Sequence, residues 1–230
     1  MRAHELPIWD TGEVITHDAL FSDPKFRTQN RWMYETPKTG QMLALVGTLR
    51  FVLAVLLTGD PTVKVFSTVC EKTTYPGQKG KTLSVAADFA VELKNGEKQW
   101  ITTMERIKHD DATELRVDTL RKFAEGKGVE HRLFLKSDIK KRAIEFDNWA
   151  LLSARMNCAD AKRFSLHHER TVLGDILKIR RAVRLEELLD ADQVDRARML
   201  AVVGYGLMNG LLSTNLTTSL ISLDSLISYS

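Results

Sequence analysis

The sequence predicts an α/β core followed by a smaller helical domain, and three observations predict it. Between residues 40 and 135 the apolar patterning runs helix, strand, strand, strand, helix, strand, the order of a sheet with helices packed on it. Asn95-Gly96 sits between two apolar runs, the strongest short-range signal for a hairpin. From Asp138 the periodicity turns helical, and it closes on a tail where Leu and Ile alternate with Ser and Thr. Hydrophobic residues make up 43% and charged residues 27% of the 230, enough apolar material for a core.

The elements follow in chain order. Residues 1–36 read as a polar N-terminal arm broken by Pro7 and Pro24, with Pro37 just beyond it. Trp32 and Tyr34 anchor it among Lys25, Arg27 and Arg31, cations that could also follow a phosphate backbone. Gly40–Leu57 reads as a helix stopped by Gly59-Asp60-Pro61. Val63–Val69 reads as a strand from its β-branched residues, and Glu71–Tyr75 continues it to the Pro76-Gly77 turn. Val85–Met104 is the hairpin. Glu114–Glu125 is an amphipathic helix with Leu115, Val117, Leu120 and Phe123 inward, ended at Gly126 and Gly128. Val129–Leu135 is a strand. Helices follow over 147–155, 167–179, 185–189 and 193–209, with Gly210 as the last stop. Helices followed by a small ribbon give a winged-helix-like arrangement. The domains are then 1–36, 37–145 and 146–230.

The formal net charge is +3 and the pI about 8.8, which permits nucleic-acid contact without requiring it. Cys70 and Cys158 lie far apart in apolar surroundings and read as reduced core residues, with no zinc spacing. The apolar run Gln41–Leu57 is too short for a membrane span and carries Arg50 at its middle. The first residues, with Glu5, Pro7 and Asp10, make no signal peptide, so the expected location is the cytoplasm.

The hairpin carries one acid, Asp88, beside Phe89 among apolar neighbours. That is the layout of a metal-dependent nuclease core, where an Asp on one strand and a Glu-x-Lys pair on the next hold Mg²⁺ and steady a water. Four stretches extend the likeness. They are Leu49–Val63 with its Asp60-Pro61-Thr62-Val63 turn, Ala87–Gly96, Val129–Ile139 with Asn148–Leu152, and Arg184–Leu189 with Gly206–Leu216. In order and spacing they resemble TnsA, the endonuclease subunit of heteromeric bacterial transposases. The resemblance covers residues about 45 to 230. It implies a restriction-endonuclease-like mixed sheet followed by a smaller winged-helix-like helical domain. It also implies double-stranded DNA at transposon ends as substrate, and a DDE-type transposase subunit and an AAA+ regulator as partners.

The chain departs from that pattern where the chemistry lies. Arg50 stands where the family's helix Glu would fall, and Thr102 and Met104 stand where its strand acid and Lys would fall. Asp88 alone keeps its identity as catalytic residue and metal ligand. The resemblance therefore implies a nuclease frame with impaired cleavage, needing no cofactor. The alternative is a working endonuclease that cuts the non-transferred strand with Mg²⁺. Glu92 shares the alternation of Asp88, whereas Glu105 and Lys108, three apart, face opposite sides of a strand.

Basic residues crowd the start of the second domain and outnumber the acids there. Arg155, Lys162, Arg163, Arg170, Arg180 and Arg181 are the DNA-binding candidates. His167-His168-Glu169 reads as solvated residues at a helix start, because adjacent helical residues diverge and cannot converge on one ion.

Overall fold

The computed structural model describes residues 17–22, 24, 28–77, 81–106, 110–159 and 165–230. The protein is a mixed α/β chain that divides into two compact units. Unit one comprises residues up to Met33, Leu43–Phe51 and Val63–Asp138; unit two comprises Tyr34–Met42, Val52–Thr62 and Ile139–Ser230. A short helix α1 (His17–Ser22) comes first, and then β1 (Arg31–Thr36) and β2 (Gln41–Val46) pair as a two-stranded sheet. The sequence expectation of one helix over 40–57 is corrected here. Gly40 (φ 67°) closes the turn by donating its N–H to Thr36 O at 2.8 Å, and Gly47 (φ 90°) separates strand from helix. Helix α2 (Thr48–Gly59) starts only after it. Two glycines in the left-handed region make a long apolar run into a strand plus a helix, which periodicity alone does not separate.

The centre of unit one is a four-stranded sheet in the order β3-β6-β7-β8, made of Val63–Ser67, Phe89–Leu93, Lys98–Met104 and Glu130–Leu135. The first two pairings are antiparallel and the last is parallel. The β6–β7 turn falls at the expected place, with Gly96 at φ 89° and Leu93 accepting from Gly96 N–H at 3.0 Å. A parallel pair needs a crossover, and α3 (Asp111–Gly126) supplies it. Asp110 caps α3 by accepting from Thr113 N–H at 2.8 Å, and Asp111 and Glu114 in the first turn complement the helix dipole. Gly128 (φ 68°) turns the chain into β8.

One face of the sheet packs a cluster of Cys70, Ala87, Ala90, Trp100, Ala124 and Val129. The small residues leave room for the Trp100 indole, which meets Phe123 of α3 at 5.4 Å between ring centroids. Phe66 and Phe89 pack 6.1 Å apart. Of the expected helix positions, Leu120 is fully buried, Val117 and Phe123 are half-buried, and Leu115 is exposed; Ala124 is buried as well. Leu53, Leu57, Val63, Phe89 and Val91 are buried; Val65 is only half-buried. A register shift between Val63 and Val65 is the reason, since it passes the inward position to Phe66. Residues 72–76 do not extend β3; β4 (Lys72–Pro76) pairs instead with β5 (Thr82–Ala86) as a separate two-stranded sheet.

Unit two is mostly helical. Helix α4 (Lys136–Lys141) leads in, and α5 (Ala143–Cys158) is longer than the 147–155 expected. There follow α6 (His167–Ile179), β9 (Ala182–Arg184), α7 (Leu185–Leu189), α8 (Arg196–Met208), β10 (Leu212–Ser213) and β11 (Leu226–Tyr229). The strands form an antiparallel sheet in the order β10-β11-β9, so the tail does pair, with Ile227 opposite Val183. Met156, Leu188, Met199, Val203 and Ile227 are buried. Gly204 lets α8 approach α5: a Cβ there would lie 3.1 Å from Met156 Cγ. Asn148, buried on α5, holds the long β10–β11 connection. Its Nδ2 donates to Leu216 O and Ser219 O, both at 2.8 Å, and its Oδ1 accepts from Ile221 N–H at 2.7 Å. A buried polar set closes the unit. Tyr34 Oη donates to Thr58 Oγ1 at 2.9 Å and lies 3.1 Å from Ser153 Oγ, and Thr36 meets Thr58 at 2.9 Å. Burial raises the Tyr34 pKa above its ordinary value.

Candidate functional site

Asp88 sits in the bend between β5 and β6, one residue before Phe89 begins its ladder with Ile101. Its backbone N–H donates to Ile101 O at 2.9 Å, which fixes the bend against β7. The residue is buried, and both carboxylate oxygens are engaged. Oδ1 accepts from Arg50 Nε at 2.8 Å and from Arg50 Nη2 at 2.5 Å. Oδ2 accepts from Thr103 N–H at 2.6 Å and from Thr103 Oγ1 at 2.7 Å. Arg50, on the first turn of α2, is steadied further by donating from Nη1 to Val46 O at 3.5 Å. Its neighbour Phe51 stacks on Trp32 with centroids 4.2 Å apart and planes 5° from parallel.

The sequence reading put Arg50, Thr102 and Met104 together around Asp88. Arg50 is there. Thr102 and Met104 are not among its hydrogen-bond partners, and Thr103 is. Alternation along β7 explains this: Trp100, Thr102 and Met104 share the face toward α3, and Ile101 and Thr103 share the other. Thr102 is buried and pairs with His131 Nε2 at 3.0 Å. Met104 lines a cavity of about 550 Å³ with Leu133 and α3 residues Leu115, Val117 and Asp118. Asp88 lies outside the regular ladder, so counting alternation back from Phe89 assigns its side chain to the wrong side. The signal that finds Thr103 is the bend itself.

Magnesium takes a shell of hard oxygen ligands, usually with carboxylates among them. Here the single carboxylate has both oxygens committed to donors. A guanidinium stands beside it, and Thr103 and Ile101 face it from the next strand. These residues do not fit a Mg²⁺ ion. Among the described residues there is no group of three or more His, Cys, Asp or Glu side chains that could hold a metal. Glu92 is engaged by Lys64 at 2.5 Å and Glu105 by Lys136 at 2.8 Å; Lys108 lies outside the described residues.

The electrostatics around Asp88 reach two neighbours. Burial pushes the Cys70 thiol up to about 12, with the Asp88 carboxylate adding to the rise and Arg50 opposing it. Burial, with the Arg121 charge, holds His131 below its ordinary value. Cys70 is buried as expected, whereas Cys158, the last residue of α5, is exposed. Its place on the outer face of the last turn of α5 leaves the side chain uncovered, while the next residue, Ala159, is buried.

Of the six candidate DNA contacts, Lys162 and Arg163 lie outside the described residues. Arg155 on α5, Arg170 on α6, and Arg180 and Arg181 just after α6 are all exposed. Arg180 forms an ion pair with Glu187, which lowers the pKa of that carboxyl group. Arg155, Arg170 and Arg181 have no ion pair among the described residues. His167 and His168 are exposed, as their place at a helix start implies. Glu169 departs from that reading: it is 3% exposed, and its Oε2 has no hydrogen-bond partner among the described residues. The three-residue offset from Leu166 and the four-residue offset to Leu173 put it on the buried face of α6.

No helix among the described residues is long and apolar enough to cross a membrane. No protein-family model matches this chain, and no curated protein is significantly similar to it.

Proposed function

We propose that this chain is a TnsA-like DNA transposition subunit that keeps a nuclease framework as a platform for transposon-end DNA and does not cleave. The observation that carries the reading is the Asp88–Arg50 pair: the acid at the nuclease position is closed by a guanidinium and by Thr103. Two features of the fold support it. Helix α2, strands β3, β6 and β7, helix α3 and strand β8 run in the order of the restriction-endonuclease-like core that the resemblance implies. In unit two, α6, β9, α7, α8, β10 and β11 run helix, strand, helix, helix, strand, strand, the order of a winged helix, with β11 central in the sheet. The exposed cations Arg155, Arg170 and Arg181 supply charge for a phosphate backbone.

In this reading the protein works in the cytoplasm on double-stranded DNA, beside a DDE-type transposase subunit and an AAA+ regulator. The test incubates the purified chain with end-containing duplex and Mg²⁺, alone and with the transposase. The expected result is duplex binding with no nick on the non-transferred strand. Mg²⁺-dependent nicking that disappears in Asp88→Ala would overturn the reading in favour of a working endonuclease.

A further inference from the structure

In a helix-turn-helix pair the second helix enters the major groove, and in unit two that place falls to α8. Helix α8 has no face free for it. Seven of its 13 residues are buried, and at about 100° per residue they leave no gap around the axis wider than about 100°. Arg198 and Tyr205 fall in that gap and are themselves half-buried. Arg196 and Ala197, in the first turn, are the exposed residues of α8, and Arg196 lies 3.4 Å from Asp190 in an ion pair. The ribbon that follows offers no replacement. Residues 212–229 carry no Lys or Arg and one acid, Asp224. Asn148 ties their connection to α5 through hydrogen bonds with Leu216, Ser219 and Ile221.

Helix α6 is built differently. Its buried residues Glu169, Leu173 and Leu177 form one inward stripe. Away from that stripe His167, Arg170, Thr171 and Lys178 are exposed. The two acids of α6 leave the outward face uncontested, since Glu169 is buried and Asp175 is engaged by Lys178 at 2.9 Å. Arg170, near the start of α6, and Arg181, just past its end, have no ion pair among the described residues.

We propose that unit two meets duplex DNA through α6 and the turn after it, and not through α8, with Arg170 and Arg181 against phosphates and the His167–Thr171 face toward the groove. This rests on the proposal above that the chain binds DNA. Roughly 15 Å of helix axis separates the two arginines, enough to reach phosphates on both sides of a major groove about 12 Å wide. Guanidinium groups are among the usual partners of phosphate oxygens, and these two are held by no carboxylate among the described residues.

The test measures binding of the full chain to a fluorescent duplex of about 30 base pairs across a salt series. Each phosphate contact contributes about 0.9 to the slope of log affinity against log salt. Arg170→Gln/Arg181→Gln should therefore lower the slope by about 1.8 and weaken binding about 60-fold at roughly 0.1 M salt, the affinities converging near 1 M. Thr171→Glu keeps every cation and puts a better helix former at an exposed position, so the fold is retained. It should still weaken binding at least about tenfold, by setting a carboxylate on the outward face. Arg196→Gln removes the exposed arginine at the start of α8 and should leave affinity and slope unchanged. If the wild type binds and both α6 variants bind equally well, α6 is not the contact, while the DNA-binding reading stands. A loss confined to Arg196→Gln would return the groove to α8 and overturn the proposal. If the wild type shows no salt-dependent binding to the duplex, both proposals fall.

Discussion

The Asp88–Arg50 pair offers the sharpest experiment, because its two readings predict opposite signs. The perturbation is a cycle of Asp88→Ala, Arg50→Ala and the double variant. The Asp88 side chain is 6% exposed and that of Arg50 is 35% exposed. Removing Asp88 strands the Thr103 N–H, a loss of about 1–3 kcal/mol for an unsatisfied buried donor. It also unpairs the guanidinium. Breaking a fully buried pair costs about 3–5 kcal/mol, but Arg50 reaches water, so its share is smaller. The expected loss for Asp88→Ala is about 3 kcal/mol, or roughly 6–12 °C in Tm for a chain of this size. Arg50→Ala should cost about 2 kcal/mol, since Asp88 keeps both donors of Thr103. The double variant should cost less than the sum by about 1–2 kcal/mol, the coupling of a contacting pair. Urea unfolding at neutral pH, with equal m-values across the set, is the assay. A working metal site holds its carboxylates at some expense to stability, and losing one commonly raises it. An Asp88→Ala variant as stable as the wild type or more so, with no coupling to Arg50, would refute the argument that this acid is a structural anchor.

Three further outcomes follow from the same structure. The His131 imidazole is held below its ordinary value, so on acidification the unfolded chain takes up a proton before the folded chain does. Stability should fall as pH drops through about 6.5, the unfolded value, and level off only below the folded one; His131→Gln should flatten that loss in denaturant midpoints between about pH 7.5 and 5. With Cys70 buried and pushed up to about 12, and Cys158 exposed, a thiol reagent at about pH 8 should modify Cys158 within minutes and reach Cys70 only in denaturant; two fast thiols would contradict the packing around Cys70. Gly59→Ala would set a Cβ 2.2 Å from Trp149 ring carbons and should cost about 3 kcal/mol or more, seen as a lower midpoint, whereas Gly126→Ala, whose Cβ meets nothing within 4 Å, should stay within about 1 kcal/mol of wild type.

Local chemistry carried much of the fold into the sequence. The Asn95-Gly96 turn and the stop at Gly210 (φ 72°) each rest on a residue whose backbone preference acts alone, and α6 from His167 to Ile179 rests on its helical periodicity. What was illegible depended on strand pairing and on backbone geometry that residue type alone does not announce. Met42 to Val46 are apolar enough for a helix, and only the positive φ of Gly40 and Gly47 makes them a strand. The bulge that turns Val65 outward is a property of its pairing with β6. The site shows both cases. An ion pair between Asp88 and Arg50 follows from opposite charges at two matched motif positions, while the choice of Thr103 over Thr102 needs a bend that no residue type announces. The burial of Glu169 was hidden in the same way, behind two exposed histidines.

The threading of the chain has a consequence for how such a protein can change over time. Unit two takes Tyr34–Met42 and Val52–Thr62 from the first third of the sequence and everything else from Ile139 onward. Its interior is built from both pieces: Thr58 on Tyr34 and Ser153 on Tyr34, Trp149 over Gly59, Asn157 Nδ2 donating to Glu35 O at 2.7 Å. A crossover near residue 138 that joined this front half to a foreign back half would therefore deliver helices without the segments they were shaped around. The helical unit is not a cassette that recombination can trade. Its drift should instead proceed by matched substitutions at positions about a hundred apart in sequence, with any bulkier residue at Gly59 requiring a smaller one at Trp149.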